Sequence, residues 1–188
     1  MRDYVRAHAY VDGFNLLQGV RKNSGPRFVN VRTLATIVSQ QAENVKMWLG
    51  MRCAVGRVCY YDTEPDAEHA ENAETVQYLD ALDRLPDCHV RRGFLRHASK
   101  SPRRQQKGVD VLLAVDMLED AHRGLMDVAM LFSGDGDFAP VVEAVGQYGP
   151  RVVVIAYSES LANELRLVAD VTVELDKLGI TVPELKLV

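Results

Sequence analysis

Cysteine is scarce in this chain: Cys53, Cys59 and Cys88 form no CxxC pair and their number is odd, which excludes a disulfide framework and a thiolate metal site. With Cys53 and Cys59 set in apolar stretches, that usage suits a reducing compartment. No apolar run approaches the roughly 18 residues that a membrane span requires. Nor does a run of signal-peptide length follow the charged opening Met1-Arg2-Asp3-Tyr4-Val5-Arg6. A cytoplasmic protein without a membrane partner is the expectation. Positive charge is also short, at 22 Lys+Arg against 26 Asp+Glu and a net −4, so the chain does not coat nucleic acid through bulk charge. Any polyanion has to be met by a local basic groove. The five histidines fall in no ligand pattern, and repeats and low-complexity linkers are absent. The 188 residues, 47% hydrophobic, predict one domain over 1–188 with a real core.

Short apolar runs and helical periodicity alternate along the chain. Ala7 to Asp12 reads as a buried strand closed by Asp-Gly, and Asn30 as the cap of a helix carrying Leu34, Ile37 and Val38. Cys53 to Tyr61 predicts a second strand. Val76, Leu79, Leu82 and Leu85 then keep helical spacing until Pro86 stops them. His89 to Leu95 alternates like a half-buried strand, Ser99 to Gln106 reads as a polar, basic loop, and Val109 to Ala121 as a helix with little face for water. Asp127 to Phe132 and Val152 to Tyr157 read as buried parallel strands around a helix from Phe138 to Tyr148. Ser160 to Val168 predicts a last helix and Val171 to Leu175 an edge strand. The apolar tail from Leu178 to Val188 is expected to cover its own sheet or a second subunit, which admits a homo-oligomer. Together these predict a three-layer, doubly wound α/β domain, its mostly parallel sheet flanked by helices on both faces. Function in such a sheet sits outside the C-terminal strand ends.

Acids mark those ends. The first strand leaves through Asp12-Gly13-Phe14-Asn15, and the fourth through Ser133-Gly134-Asp135-Gly136-Asp137. Asp110 stands where the apolar helix begins. Any one of them alone is most simply a helix cap. Convergence changes the weighting, because close carboxylates repel by roughly 4 kcal/mol per pair at an effective dielectric near 20 and so call for a cation. Hard oxygen ligands suit Mg2+ or Mn2+, which bring hydrolytic chemistry to a phosphodiester.

The segments YVDGFNL (Tyr10 to Leu16), KGVDVLLAVDML (Lys107 to Leu118) and LFSGDGDFAPVV (Leu131 to Val142) together resemble the NYN group of PIN-like nucleases, in its LabA-like branch. Ser160-Leu161 and Ala169-Asp170 match that group's closing pattern. The resemblance spans nearly the whole chain. It implies a parallel sheet in strand order 3-2-1-4-5, a carboxylate-bound divalent metal and RNA as the usual substrate, and the expected partner is single-stranded RNA. It also implies Asp12 and Asp135 as central metal ligands, with Asp110 and Asp137 completing the pocket. Asn15 matches the early Asn of the group, either orienting Asp12 or a phosphate or simply capping a helix. Ser133 is placed to bind a phosphate or a metal-held water, or is an ordinary turn hydroxyl. Asp116 falls ~240° around the helix from Asp110, a structural position.

Between His89 and Val109 there is no acid, whereas Arg91, Arg92, Arg96, Lys100, Arg103, Arg104 and Lys107 are basic. Arg103, Arg104 and Lys107 are therefore candidates for carrying phosphates to the pocket, against the reading of plain solvated charge. Arg21, Lys22 and Arg27 are candidates for its other side. Haloacid-dehalogenase phosphatases need a second Asp where Phe14 stands, and Toprim domains pair their DxD with an earlier Glu where this chain has Asp12. The alternative of a different class is a non-catalytic RNA-binding or regulatory module on the same fold.

Overall fold

Alternation along the first strand sets the two faces of the sheet. In β1 (Tyr4–Asp12), Ala7, Ala9 and Val11 pack into one apolar cluster and Tyr10 into another. Successive side chains point to opposite faces, so Asp12 leaves the strand on the face of Tyr10. The computed structural model describes residues 4–41, 52–63, 72–96 and 105–187, with backbone alone at 52, 94–96 and 105–107.

Helix α1 (Gly13–Lys22) follows β1 without a linker, and α2 (Val31–Gln41) starts at Asn30, whose Oδ1 accepts from the Thr33 N–H at 2.9 Å. Strand β2 (Arg52–Thr63), helix α3 (Ala73–Asp83) and strand β3 (Cys88–Arg96) come next. A three-residue strand β4 (Gln105–Lys107) pairs antiparallel with β3. Residues 105–107 therefore extend the sheet at its edge where loop composition predicts none. Then follow α4 (Val109–His122), β5 (Val128–Phe132), a single 3₁₀ turn (Gly136–Phe138), α5 (Ala139–Gln147), β6 (Arg151–Ala156), α6 (Asn163–Val168) and β7 (Val171–Glu174).

The sheet order is β4-β3-β2-β1-β5-β6-β7, parallel throughout except for β4. The five strands expected in order 3-2-1-4-5 hold that order, and β7 extends it. Leu16, Leu17 and Val20 of α1, Leu34 and Val38 of α2, and Leu79 and Leu82 of α3 cover one face. Leu113 and Met117 of α4, Val142 and Val145 of α5 and Leu165 of α6 cover the other. Each such fully buried aliphatic side chain contributes roughly 1.5–3 kcal/mol relative to exposure. Helix α4 departs from its all-apolar expectation: Leu113, Met117 and Ala121 face the sheet at four-residue spacing, whereas Val111 and Val115 stay exposed on the outer side. In the tail, Leu178, Ile180, Val182, Leu185 and Leu187 pack against the α1–α3 core. Hydrogen bonds tie the same segment to residues 28–30: Asn30 N–H to Pro183 O at 2.8 Å and Leu185 N–H to Phe28 O at 2.9 Å.

The winding reverses between β1 and β5, the one strand continuing through α1 toward β2 and the other through α5 toward β6. That switch point is where a doubly wound sheet opens a crevice.

Candidate carboxylate cleft

Register brings the two acidic exits together. Val11 lies opposite Phe132, the last residue of β5, so Asp12 and Ser133 leave neighbouring strands side by side. The Ser133 hydroxyl donates to Asp12 Oδ2 at 2.9 Å and itself accepts the Asp135 N–H at 3.2 Å. Asp12 Oδ1 accepts the Asn15 N–H at 3.1 Å, which caps α1, and Asn15 Oδ1 accepts the Gly134 N–H at 3.0 Å. One hydrogen-bonded chain thus joins the exits of β1 and β5. Asp135 caps its own turn, accepting the Asp137 N–H at 3.0 Å.

Two glycines at these exits lie tight against neighbouring segments. A Cβ on Gly13 would lie 2.5 Å from the Tyr60 ring, and one on Gly134 would lie 2.2 Å from the Ser160 carbonyl oxygen. In the sequence, Gly13, Gly134 and Gly136 read as places where the backbone can turn tightly beside the carboxylates. None of the three has positive φ, and what Gly13 and Gly134 supply is room for close approach.

Above these exits opens a cleft of about 170 Å³, lined by Asp12, Phe14, Asn15, Tyr61, Asp62, Val109, Asp110 and Asp135. Asp110 enters from the first turn of α4, whose N-terminus faces the same end of the sheet. Burial pushes the Asp12 carboxyl up to about 6, against the lowering by the Asn15 and Ser133 donors, and the charges of Asp110 and Asp135 push the same way as burial. Asp110 is raised as well, by burial and then by Asp135 and Asp137. Among the described residues no Lys, Arg or His is paired with Asp12, Asp110 or Asp135. Among the described residues the eight that line the cleft include four carboxylates and no Lys, Arg or His.

Among the described residues no three or more His, Cys, Asp or Glu side chains stand as a ready-made metal cage. The carboxylate oxygens of Asp12, Asp110 and Asp135 in the cleft fit a hard ion such as Mg2+, which takes one or two carboxylates and completes its shell with water and phosphate.

The expected residues divide. Asp12, Asn15, Asp110 and Asp135 meet in the cleft, whereas Asp137 is exposed outside its lining and reaches Asp110 through its charge. Ser133 is fully buried with its hydroxyl committed to Asp12, so it positions that carboxylate and does not present itself to a phosphate. Asp116 accepts from the Tyr61 hydroxyl at 2.9 Å and from Arg91 at 2.9 and 3.0 Å, a structural tie between α4 and the sheet. Arg92 pairs with Asp80, Lys22 with Glu159 and Arg27 with Glu74, so these three basic side chains have acidic partners. Tyr60 and Tyr61 are core. Arg103 and Arg104 lie outside the described residues, as do the side chains of Lys107, Arg96 and Phe94.

Asp62 is a carboxylate that belongs to none of the sequence motifs. It follows Tyr61, the residue opposite Asp12, and burial raises it although Thr63 and Tyr60 donate to it and Arg21 lies near. The signal was its place: β2 runs on to Thr63, two residues beyond the apolar pattern, which makes Asp62 another acid at a strand exit.

Likeness to known proteins agrees with this frame. A protein of unknown function from Vibrio parahaemolyticus RIMD 2210633, VPA0982, has a crystal structure that superposes with a TM-score of 0.63 over 95% of this chain and 97% of that one, at 18% identity. The fold is thus shared. The uncharacterized protein y4oD of Sinorhizobium fredii (strain NBRC 101917 / NGR234) is 33% identical over 103 residues, which span 53% of this chain and 46% of that protein. The family model for the NYN domain matches residues 6–176. With that match running from β1 through β7, the chain belongs to the NYN domain family.

Proposed function

We propose that this protein is a divalent-metal-dependent ribonuclease, hydrolysing phosphodiester bonds in single-stranded RNA at the cleft of Asp12, Asp110 and Asp135. Membership of the NYN domain family supports a reading among the PIN-like nucleases, and the quoted motifs favour the LabA-like branch. The observation that carries the reading is the buried Asp12, raised to about 6 beside two further carboxylates and paired with no cation among the described residues. Such a group is ionised at neutral pH only at a cost, and a bound cation removes that cost.

Asp12 and Asp135 would hold Mg2+ or Mn2+ from adjacent strand exits, with Asp110, and the charge of Asp137 behind it, closing the acidic side. When bound, the ion supplies Lewis acidity toward water and phosphate. Ser133 and Asn15 fix the Asp12 carboxylate through its two oxygens, directly and through the α1 cap, so its direction is set before substrate arrives. Arg103, Arg104 and Lys107 are proposed to meet the RNA backbone. Their segment runs directly into Asp110, and a basic approach supplies the salt-dependent part of the affinity.

Labelled single-stranded RNA incubated with the wild type and with Asp135→Asn, with and without manganese, tests the proposal. Cleavage that needs both the metal and Asp135 is expected. Cleavage by Asp135→Asn at the wild-type rate, or none by contaminant-free wild type on diverse RNAs, would replace the reading by a non-catalytic RNA-binding module.

A further inference from the structure

Resting on the nuclease reading above, we infer that Phe14 is a stacking platform for one unpaired nucleobase of the strand whose phosphate enters the carboxylate cleft. Among the described residues the large apolar side chains left in water are Tyr4, Phe14, Val111, Val115, Tyr148 and Leu167. Of these, Phe14 alone lines the cleft, and the residue is 57% exposed. Tyr148 has an aromatic neighbour, the His122 ring at 5.3 Å, whereas among the described residues no ring or cation stacks on Phe14.

The ring stands on fixed backbone. Phe14 is the second residue of α1, between Gly13, which leaves no room for a Cβ against Tyr60, and Asn15, which is bonded to both Asp12 and Gly134. A Phe side chain has two torsions and a helical backbone restricts the first, so covering it costs little conformational entropy.

The chemistry of the cleft says what covers it. Carboxylate oxygens suit a hard cation, and under the nuclease reading that cation would draw in phosphate oxygens. In a polynucleotide the flat apolar surface attached to a phosphate is the base. Every base has a π-face, so a single ring selects unpaired over paired nucleotides without selecting sequence. Within a duplex those faces are occupied by neighbouring pairs, and presenting one to Phe14 requires extruding the nucleotide.

The test pairs protein variants with a lesion in the RNA. Wild type, Phe14→Ala and Phe14→Trp are compared on a labelled single-stranded RNA and on copies carrying one abasic nucleotide at successive positions, with manganese. On intact RNA, Phe14→Ala is expected to lose roughly tenfold in kcat/KM and Phe14→Trp to keep most of it, the scale that base stacking on aromatic side chains supplies. One abasic position, at a fixed offset from the cut, should cost wild type about the same factor and cost Phe14→Ala nothing more. Equal rates for wild type and Phe14→Ala on intact RNA, or independent losses from the variant and the lesion at every position, would overturn the stacking role and leave the nuclease reading standing. If wild type does not cleave at all, the nuclease reading fails separately. Anisotropy binding of the same RNAs then decides the stacking: a shared loss supports it, and independent losses or no binding overturn it.

Discussion

Two buried carboxylates, Asp12 and Asp120, lie at opposite ends of the same helix–sheet contact and are treated in opposite ways. Helix α4 runs against β1, so that its first turn brings Asp110 to Asp12 and its last turns bring Asp120 to His8 and Tyr10. Asp12 is 7% exposed and Asp120 5%. Burial pushes both upward, but at Asp120 hydrogen bonds from His8 and Tyr10 and the charge of Arg57 overcome it and leave the carboxyl below its usual range. At Asp12 the neutral donors Asn15 and Ser133 do not overcome it, and the nearby acids add to it. Burial therefore does not separate a structural acid from a functional one. The countercharge does: Asp120 has His8 and Arg57 beside it, whereas among the described residues Asp12 is paired with no cation, and under the proposed function a bound metal would supply one.

The largest expected effect lies in activity. Asp12→Asn or Asp135→Asn should lower metal-dependent RNA cleavage by more than about 100-fold, since even residues behind a metal ligand are worth 10–100-fold, whereas Asp120→Asn should leave the rate per folded molecule nearly unchanged. A large rate loss in Asp120→Asn with normal folding would erase the contrast. Stability should show the reverse. Asp120→Ala strips the shared acceptor from His8, Tyr10 and Arg57 and should destabilise by about 3 kcal/mol, seen as a lower urea midpoint with or without metal.

Next in size is Asp12→Asn in the metal-free protein. The folded carboxyl titrates at about 6, above its unfolded value, so the native state binds the extra proton. The contribution of Asp12 to stability is full below the unfolded value and lost as pH rises through about 6. Asp12→Asn should therefore be the more stable protein at pH 7, by up to about 3 kcal/mol, and no more stable than wild type at pH 4. Manganese should narrow the difference at pH 7 by raising the wild-type melting temperature, because a ligand that binds only the native state stabilises it. A metal-free Asp12→Asn that melts below wild type at pH 7 would make Asp12 a cap and nothing more.

How much of this was legible depended on where each residue sat. Asp12, Asp110 and Asp135 could be read because a parallel sheet confines its chemistry to strand exits and these three lie at or beside motif turns. The strand order needed the family resemblance, since periodicity alone does not say which strands are neighbours. Asp62 stayed hidden because its strand outruns its apolar pattern by two residues. Strand β4 stayed hidden because Gln105-Gln106-Lys107 has the composition of a loop and is ordered by pairing along β3, a tertiary effect. The exposed Val111 and Val115 misled in the other direction, since an apolar residue in a helix is not thereby buried. The hydroxyl of Ser133 could be placed near the acids, but its direction followed only from the register of β1 and β5.

That direction gives the smallest and most discriminating expectation. Ser133 donates to Asp12 Oδ2 and accepts from the Asp135 N–H, so Ser133→Ala removes two bonds from a buried corner and should cost about 1 kcal/mol or somewhat more. The Ser133 donor is one of the two groups holding the Asp12 carboxyl down, and without it Asp12 should titrate above its present value of about 6. A cation needs the ionised form, so the acid limb of the kcat/KM profile should move to higher pH in Ser133→Ala. The rate lost at pH 6 to 7 should return in part above pH 8. Asp12→Asn offers no such recovery, having no proton to lose. Ser133→Thr keeps the hydroxyl and should keep the profile where the extra methyl is tolerated. If Ser133→Ala lowers activity equally at every pH, the hydroxyl acts by packing or by meeting substrate, and its role in setting the charge of Asp12 is wrong.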